Sequence, residues 1–160
     1  MEVIILRAGS GAGKSTWIRR HKPKAIVVSS DQYMVDEDGN YQFDVTKLGE
    51  AHADCVRRFV SFCQNPPNAE TLIVDNTNTM VAEFAPYAQV ALSYGHDLRI
   101  VTFVYDPVAA FKRNIHGTPL DKCIEMHARI QEGTKQIPPW WPHEYALWDE
   151  TWPFANTPTK

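Results

Sequence analysis

An apolar run, Val3-Ile4-Ile5-Leu6, passes directly into Arg7-Ala8-Gly9-Ser10-Gly11-Ala12-Gly13-Lys14-Ser15-Thr16. A strand that turns through glycines into a helix start is an anion site by geometry. The first N–H groups of a helix have no intrahelical partner, and the helix dipole favours negative charge there. Gly11 and Gly13 let the backbone wrap a phosphate with no Cβ in the way. Lys14 can reach β- and γ-phosphates, and the Ser15 hydroxyl can hold Mg²⁺. The nucleotide, read as ATP, is therefore expected on Gly9, Ser10, Gly11, Ala12, Gly13, Lys14, Ser15 and Thr16. Gly13, Lys14 and Ser15 fit the phosphate-loop pattern G-x-x-x-x-G-K-[ST]. Ala8 stands where that pattern has its first glycine, and Gly9, one residue later, is expected to ease the chain out of the strand.

The rest of the chain alternates short apolar runs with helical stretches. Residues 2–7, 25–29, 71–75 and 98–105 read as buried strands. Ser15 to about His21 reads as a helix. Residues 45–64 place Leu48, Ala51, Cys55, Phe59 and Phe62 on one apolar stripe. Residues 80–94 form a helix that stops at Gly95, with Pro86 able to kink or split it. Asp106-Pro107 and Thr118-Pro119 read as caps followed by proline at the first helical position, and Asp121 lies near the positive end of the second helix. This order predicts an α/β fold with a parallel sheet covered on both faces. Asp36 to Asn40 reads as a turn on a loop. The tail from Ile137, IPPWWPHEYALWDETWPF, holds four of the five tryptophans. Its rings are expected to pack the tail onto the body, with a base-stacking surface as the alternative. Asn156 to Lys160 are expected to fray.

Composition narrows the setting. No apolar run approaches the roughly 20 residues that span a bilayer, so no membrane partner is expected. The N-terminus reads as a mature cytoplasmic start. Cys55, Cys63 and Cys123 form no CxxC pair and read as reduced thiols. The six histidines show no zinc-ligand spacing. A formal net charge of −3 disfavours a broad basic face that coats nucleic acid but leaves room for a local basic funnel. The oligomeric state is left open.

Phosphoryl transfer needs an in-line nucleophile, a base beside it and positive charge on the migrating group. Val27-Val28-Ser29-Ser30-Asp31 ends the second strand, and carboxyl ends of parallel strands form the ligand crevice. Asp31 is thus either a base for a substrate hydroxyl or a loop cap. Leu72-Ile73-Val74-Asp75 ends the third strand. Asp75 can bind Mg²⁺ directly or through water, or belong to a polar turn. Phe111-Lys112-Arg113-Asn114-Ile115-His116-Gly117-Thr118-Pro119 reads as a mobile lid or a solvated helix end. Arg113 suits the transition-state charge, and Arg129 can point back to the nucleotide. His116 is a phosphate contact or a turn residue; His52 faces the crevice or the surface.

RAGSGAGKSTW, SSDQY, LIVDNTNT and DPVAAFKRNIHGTP occur in the order seen in P-loop kinases of the polynucleotide 5′-hydroxyl kinase type, which this chain resembles over roughly residues 3–133. The resemblance implies a three-layer P-loop kinase fold with a central parallel sheet and a helical lid. It implies residues 1–136 as the kinase domain, the lid at about 112–132, and 137–160 as a Pro/Trp-rich segment packed on the same domain. It implies ATP, Mg²⁺ and a nucleic acid with a 5′-hydroxyl end as acceptor. Lys14, Asp31 and Arg113 match catalytic positions, with Asp31 as general base. Asp31, Met34, His52, Asp75, Asn76 and Asn78 are the expected acceptor side. Met34 and His116 stand where phage members of the family carry arginines, so two positive charges are missing. A kinase for a nucleoside or other small hydroxyl compound, and a non-catalytic ATP-binding module, remain as alternatives.

Overall fold

The computed structural model describes residues 1–115 and 117–147. Strand β1 (Glu2–Arg7) leads through the glycine loop into helix α1 (Lys14–His21). Strand β2 (Ile26–Val28) is followed by two short 3₁₀ turns, Ser30–Met34 and Val45–Lys47, and by α2 (Leu48–Gln64). Then come β3 (Thr71–Val74), α3 (Val81–Ser93), β4 (Asp97–Val104), α4 (Pro107–Arg113), α5 (Leu120–Thr134) and β5 (His143–Leu147). All strands are parallel, in the order β2-β3-β1-β4-β5.

The apolar runs are continuous because both faces of the sheet are buried. Side chains alternate along β1. Val3 and Ile5 join Phe59, Phe84 and Ala88 on the face covered by α2 and α3. Ile4 and Leu6 join Trp17, Ala110 and Ile130 on the face covered by α1, α4 and α5. The α2 stripe is Ala51, Cys55, Phe59 and Cys63, with Phe62 half-buried at its flank. The predicted helix 45–64 opens as the Val45–Lys47 turn, whose Thr46 N–H donates to Asp44 Oδ1 at 2.9 Å.

Helix ends follow their local chemistry. Asp106 accepts from the N–H groups of Val108 and Ala109, with Pro107 in the first turn. Helix α3 runs undivided through Pro86. It stops where Gly95 takes φ +71, with Gly95 N bonded to Leu92 O and His96 N to Ala91 O. Helix α5 starts at Leu120, one residue later than Thr118-Pro119 predicts, with Pro119 in the cap position. Among the described residues no helix is long and apolar enough to cross a membrane.

The reading of four strands is corrected to five. His143–Leu147 pairs with Ile100–Val104 as a parallel edge strand. Its signal is weak because none of its side chains is fully buried, only His143 and Ala146 being half-buried, and a Pro/Trp run precedes it. The tail's rings divide: Trp141 is buried against Phe84, whereas Trp140 is 75% exposed. Trp148, Trp152 and Asn156 to Lys160 lie outside the described residues, as does His116.

His143 Nε2 lies 2.9 Å from Thr102 Oγ1. Burial, and then the Arg7 charge, push the His143 pKa below 6.5. The unfolded chain thus takes up this proton at higher pH than the folded one. Stability from this residue is present above about pH 6.5 and is lost as pH falls below it. Urea midpoints should decline from pH 7 to pH 5, and His143→Gln should flatten that decline.

Candidate active site

Strand β1 lies between β3 and β4, and the chain winds outward in both directions from it. In an open parallel sheet the crevice at such a switch point, outside the carboxyl ends, is where ligands bind. The glycine loop rises there. Ala8 N donates to Thr77 O at 3.1 Å, and Trp17 N to Gly13 O at 2.9 Å. Gly11 and Gly13 take φ +75 and +92, values a side chain rarely adopts.

Ala8 fits without strain. Among the described residues Asn78 is the one non-glycine residue with positive φ, so Ala8 needs no glycine freedom. Its methyl is fully buried in the cluster with Leu6 and Trp17. Gly9 does a different job from the one expected. Its N–H donates to Tyr105 Oη at 2.9 Å, and a Cβ at Gly9 would lie 2.6 Å from that oxygen. Glycine is required there for close approach. Burial pushes the Tyr105 hydroxyl up to about 12, which keeps it neutral beside the loop.

Ala110, Arg113 and Thr118 pack against the loop from the other side. A Cβ at Gly11 would meet Ala110 O at 2.0 Å. Arg113 Nε donates to Gly11 O at 3.4 Å, and Thr118 Oγ1 to Ser10 Oγ at 3.2 Å. Gly11→Ala combines that clash with a disfavoured φ, so the loop must move off α4. ATP affinity is expected to fall more than about tenfold, the equivalent of 1.4 kcal/mol, read by nucleotide titration.

Lys14 Nζ donates to Ala8 O at 3.2 Å and lies 3.9 Å from Asp75 Oδ1. Loop lysine and strand-end carboxylate thus meet at one point. Both side chains are largely screened from solvent, at 15% and 17% exposure. Asp75 is itself placed by its N–H, which bonds to Val28 O. Ser15 is exposed in the first turn of α1. A hydroxyl and a carboxylate are hard oxygen donors of the kind magnesium takes.

Asp31 is exposed at the carboxyl end of β2. Ser29 and Gln32 form a capping box around its turn: Asp31 N donates to Ser29 Oγ, and Ser29 N to Gln32 Oε1. Tyr41 Oη donates to Asp31 Oδ1 at 3.4 Å. Burial and the Asp31 charge raise the Tyr41 hydroxyl above its ordinary value.

Other expected residues have inward partners. Asn76 Oδ1 accepts from Ser30 N at 2.8 Å and Ser30 Oγ at 3.0 Å, and its Nδ2 faces Tyr87 and Cys55. It pins the Asp31 turn to the end of β3. Asn78 Nδ2 donates to Leu6 O at 2.7 Å. Met34 is buried, and its carbonyl accepts from Gln42 N. His52 is exposed on α2. Arg129 bonds to Thr79 Oγ1 and pairs with Glu83 at 2.8 Å, which directs it to the start of α3.

Two positioning residues escape a sequence reading. Arg58 on α2 bonds to Ser29 O, Gln32 and Asp54, holding the Asp31 turn. Arg7 is fully buried behind the glycine loop. Arg58 sits in no motif, and Arg7 stands just before the G-x-x-x-x-G-K-[ST] pattern, which assigns it no role. Arg7 is unusual in sequence only as a charge that closes an apolar strand.

Residues 3–116 match the AAA domain family. The chain belongs to that family of P-loop proteins. It is 33% identical over 138 residues to human NEDD4-binding protein 2, which covers 81% of this chain and 8% of that protein. A chain of the Pnkp1/Rnl/Hen1 RNA repair complex superposes with a TM-score of 0.69 at 16% identity, over 94% of this chain and 50% of that one. A gluconokinase from Sinorhizobium meliloti 1021 superposes at 0.52 and 12% identity, over 91% and 82%. The AAA-domain chain therefore has the P-loop kinase fold, and it spans half or less of the first two of these relatives.

Proposed function

We propose that the protein is a kinase that transfers the ATP γ-phosphate to the 5′-hydroxyl of a DNA or RNA end. The observation that carries this reading is the exposed Asp31 carboxylate on the sheet edge from which the glycine loop rises. The AAA-domain match and the fold shared with a chain of an RNA repair complex support it.

In the proposed reaction Asp31 accepts the proton of the acceptor hydroxyl. That oxygen bonds to the γ-phosphorus as the bond to the β–γ bridging oxygen breaks, and ADP leaves. Lys14 leaves its loop carbonyls to hold the β- and γ-phosphates. Arg113, already against Gly11, supplies charge to the migrating group from the lid at about 112–132. Ser15 and Asp75 would hold Mg²⁺, which supplies positive charge to the phosphate oxygens.

Labelled ATP with Mg²⁺ and 5′-hydroxyl oligonucleotides, run beside a panel of nucleosides, tests the reading. Label on the oligonucleotide that disappears in Lys14→Ala is expected. No label on any oligonucleotide would sink the proposal. A second reading, a kinase for a nucleoside or other small hydroxyl compound, is favoured by Met34, whose buried side chain offers no charge to an acceptor phosphate.

A further inference from the structure

Five large apolar or aromatic side chains are exposed within the thirteen residues 33–45: Tyr33, Val35, Tyr41, Phe43 and Val45, at 39%, 44%, 37%, 62% and 66%. Isolated exposed apolar residues are ordinary on a protein surface, but a concentration of them beside a reactive group marks a binding surface. This one touches the candidate transfer site, because Tyr41 Oη donates to Asp31. It is also held in shape. Val35 and Tyr41 bridge antiparallel, and Met34 O accepts from Gln42 N. Asp36 closes the turn by accepting from Asp38 N, Asn40 N and Gln42 Nε2. Tyr33 Oη is anchored on Glu50.

Charge decides what fits on it. Residues 3–30 hold six Lys or Arg and no Asp or Glu. Residues 31–54 hold seven Asp or Glu and a single Lys. Even with Arg57 and Arg58 of α2 counted, the acceptor side is net acidic, whereas the phosphate side is basic. A segment so acidic repels a run of backbone phosphates, whereas the flat face of a nucleobase is neutral and stacks on aromatic rings.

We infer that the 33–45 segment is a stacking platform for the terminal base of a single-stranded 5′-hydroxyl end, led by Phe43 and Tyr41, and that the acceptor is gripped by this base and not by its phosphates. The inference rests on the kinase reading above and names how its acceptor is chosen.

A short oligonucleotide with a 5′-hydroxyl and 2-aminopurine as its first base provides the probe, since stacking quenches that fluorophore. Titration with the wild-type protein should quench it, and Phe43→Ala should abolish most of the quenching. In transfer assays Phe43→Ala should raise the acceptor KM about 5- to 150-fold, the range of one lost base–aromatic stack. Its kcat should stay within about twofold, and Phe43→Trp should restore the KM. The acceptor KM should follow salt with a log–log slope no steeper than about 0.7, that of a single phosphate contact on a single strand.

Transfer without quenching, with Phe43→Ala unaltered, would overturn the platform and leave the kinase reading intact. Equal transfer to an abasic 5′ residue would do the same. Quenching without transfer to any acceptor would uphold the platform and remove the kinase. Neither quenching nor transfer would remove both.

Discussion

Asp31→Asn is expected to lower phosphoryl transfer by about 10²–10⁴-fold, the usual contribution of a general base, and to leave ATP affinity unaltered. Asparagine matches aspartate in shape and keeps an Oδ1 acceptor for the Tyr41 hydroxyl. It loses the oxygen that can take a proton. The turn survives, because its cap is made by Ser29 and Gln32 with the Asp31 backbone N–H. Asp31 is exposed, so stability should move by no more than about 0.5 kcal/mol. The glycine loop rises from β1, two strands away from β2, so the nucleotide site is untouched. Steady-state transfer from labelled ATP gives kcat, and an ATP titration gives Kd. Full activity in Asp31→Asn would remove Asp31 as the base. Equal loss of ATP binding would make it a structural residue.

Arg7→Met is expected to remove about 3–5 kcal/mol of folding stability. Arg7 has no exposed surface. Its guanidinium donates to Asn78 O, Thr102 Oγ1, Thr134 Oγ1 and Thr79 O at 2.9 Å each, and to Ile130 O at 3.3 Å. It also lies 4.9 Å from the centre of the Phe84 ring. Burial lowers its pKa to about 10, so it stays charged at neutral pH. A charge buried among neutral oxygens is tolerated only because every face of the fork is occupied. Methionine fills much of the volume but leaves buried carbonyls and hydroxyls without donors, at about 1–3 kcal/mol for each left truly dry. The same fork joins the end of β1, the turn at Asn78–Thr79, β4 and α5. Loss of stability should therefore come with weaker ATP binding, since Ala8 begins the glycine loop beside it. Helix α5 depends on the same packing: a Cβ at Gly133 would meet Thr79 O at 2.3 Å and Arg7 Nη2 at 3.1 Å. Urea unfolding measures the loss; a change under about 1 kcal/mol would show that the network is not a keystone of the fold.

How much of this was legible in the chain depends on the sequence distance over which each residue acts. The strand–loop–helix turn, the Asp106-Pro107 cap and the Gly95 stop are decided by neighbours within a few residues and stand as read, whereas the role of Gly9 is set by distant Tyr105. The strands β1, β3 and β4 declare themselves because burial on both faces demands unbroken apolar runs. Strand β5 does not, since at the sheet edge its side chains are exposed or only half-buried and its pairing partner lies about forty residues away in β4. Asn76 and Asn78 look from sequence like site residues because polar side chains after a strand are common in sites. Their bonds to Ser30 and Leu6 serve positioning, and no local pattern carries that information. From sequence Arg129 reads toward the nucleotide, and its pairing with Glu83, forty-six residues earlier, carries no local sequence signal.

The sequence by itself determined that a phosphate cradle stands at a strand-to-helix turn, in an alternating α/β chain. Those signals are local: glycine conformation, helix-end chemistry and apolar period. The tertiary structure decided what surrounds the cradle. It set Lys14 against Asp75, buried Arg7 behind the loop, pressed Gly11 onto α4 and laid Tyr41 on Asp31. These contacts join residues from ten to more than one hundred positions apart. Only the packing of the layers brings them within bonding distance, and a hydrogen bond or an ion pair acts only at that range.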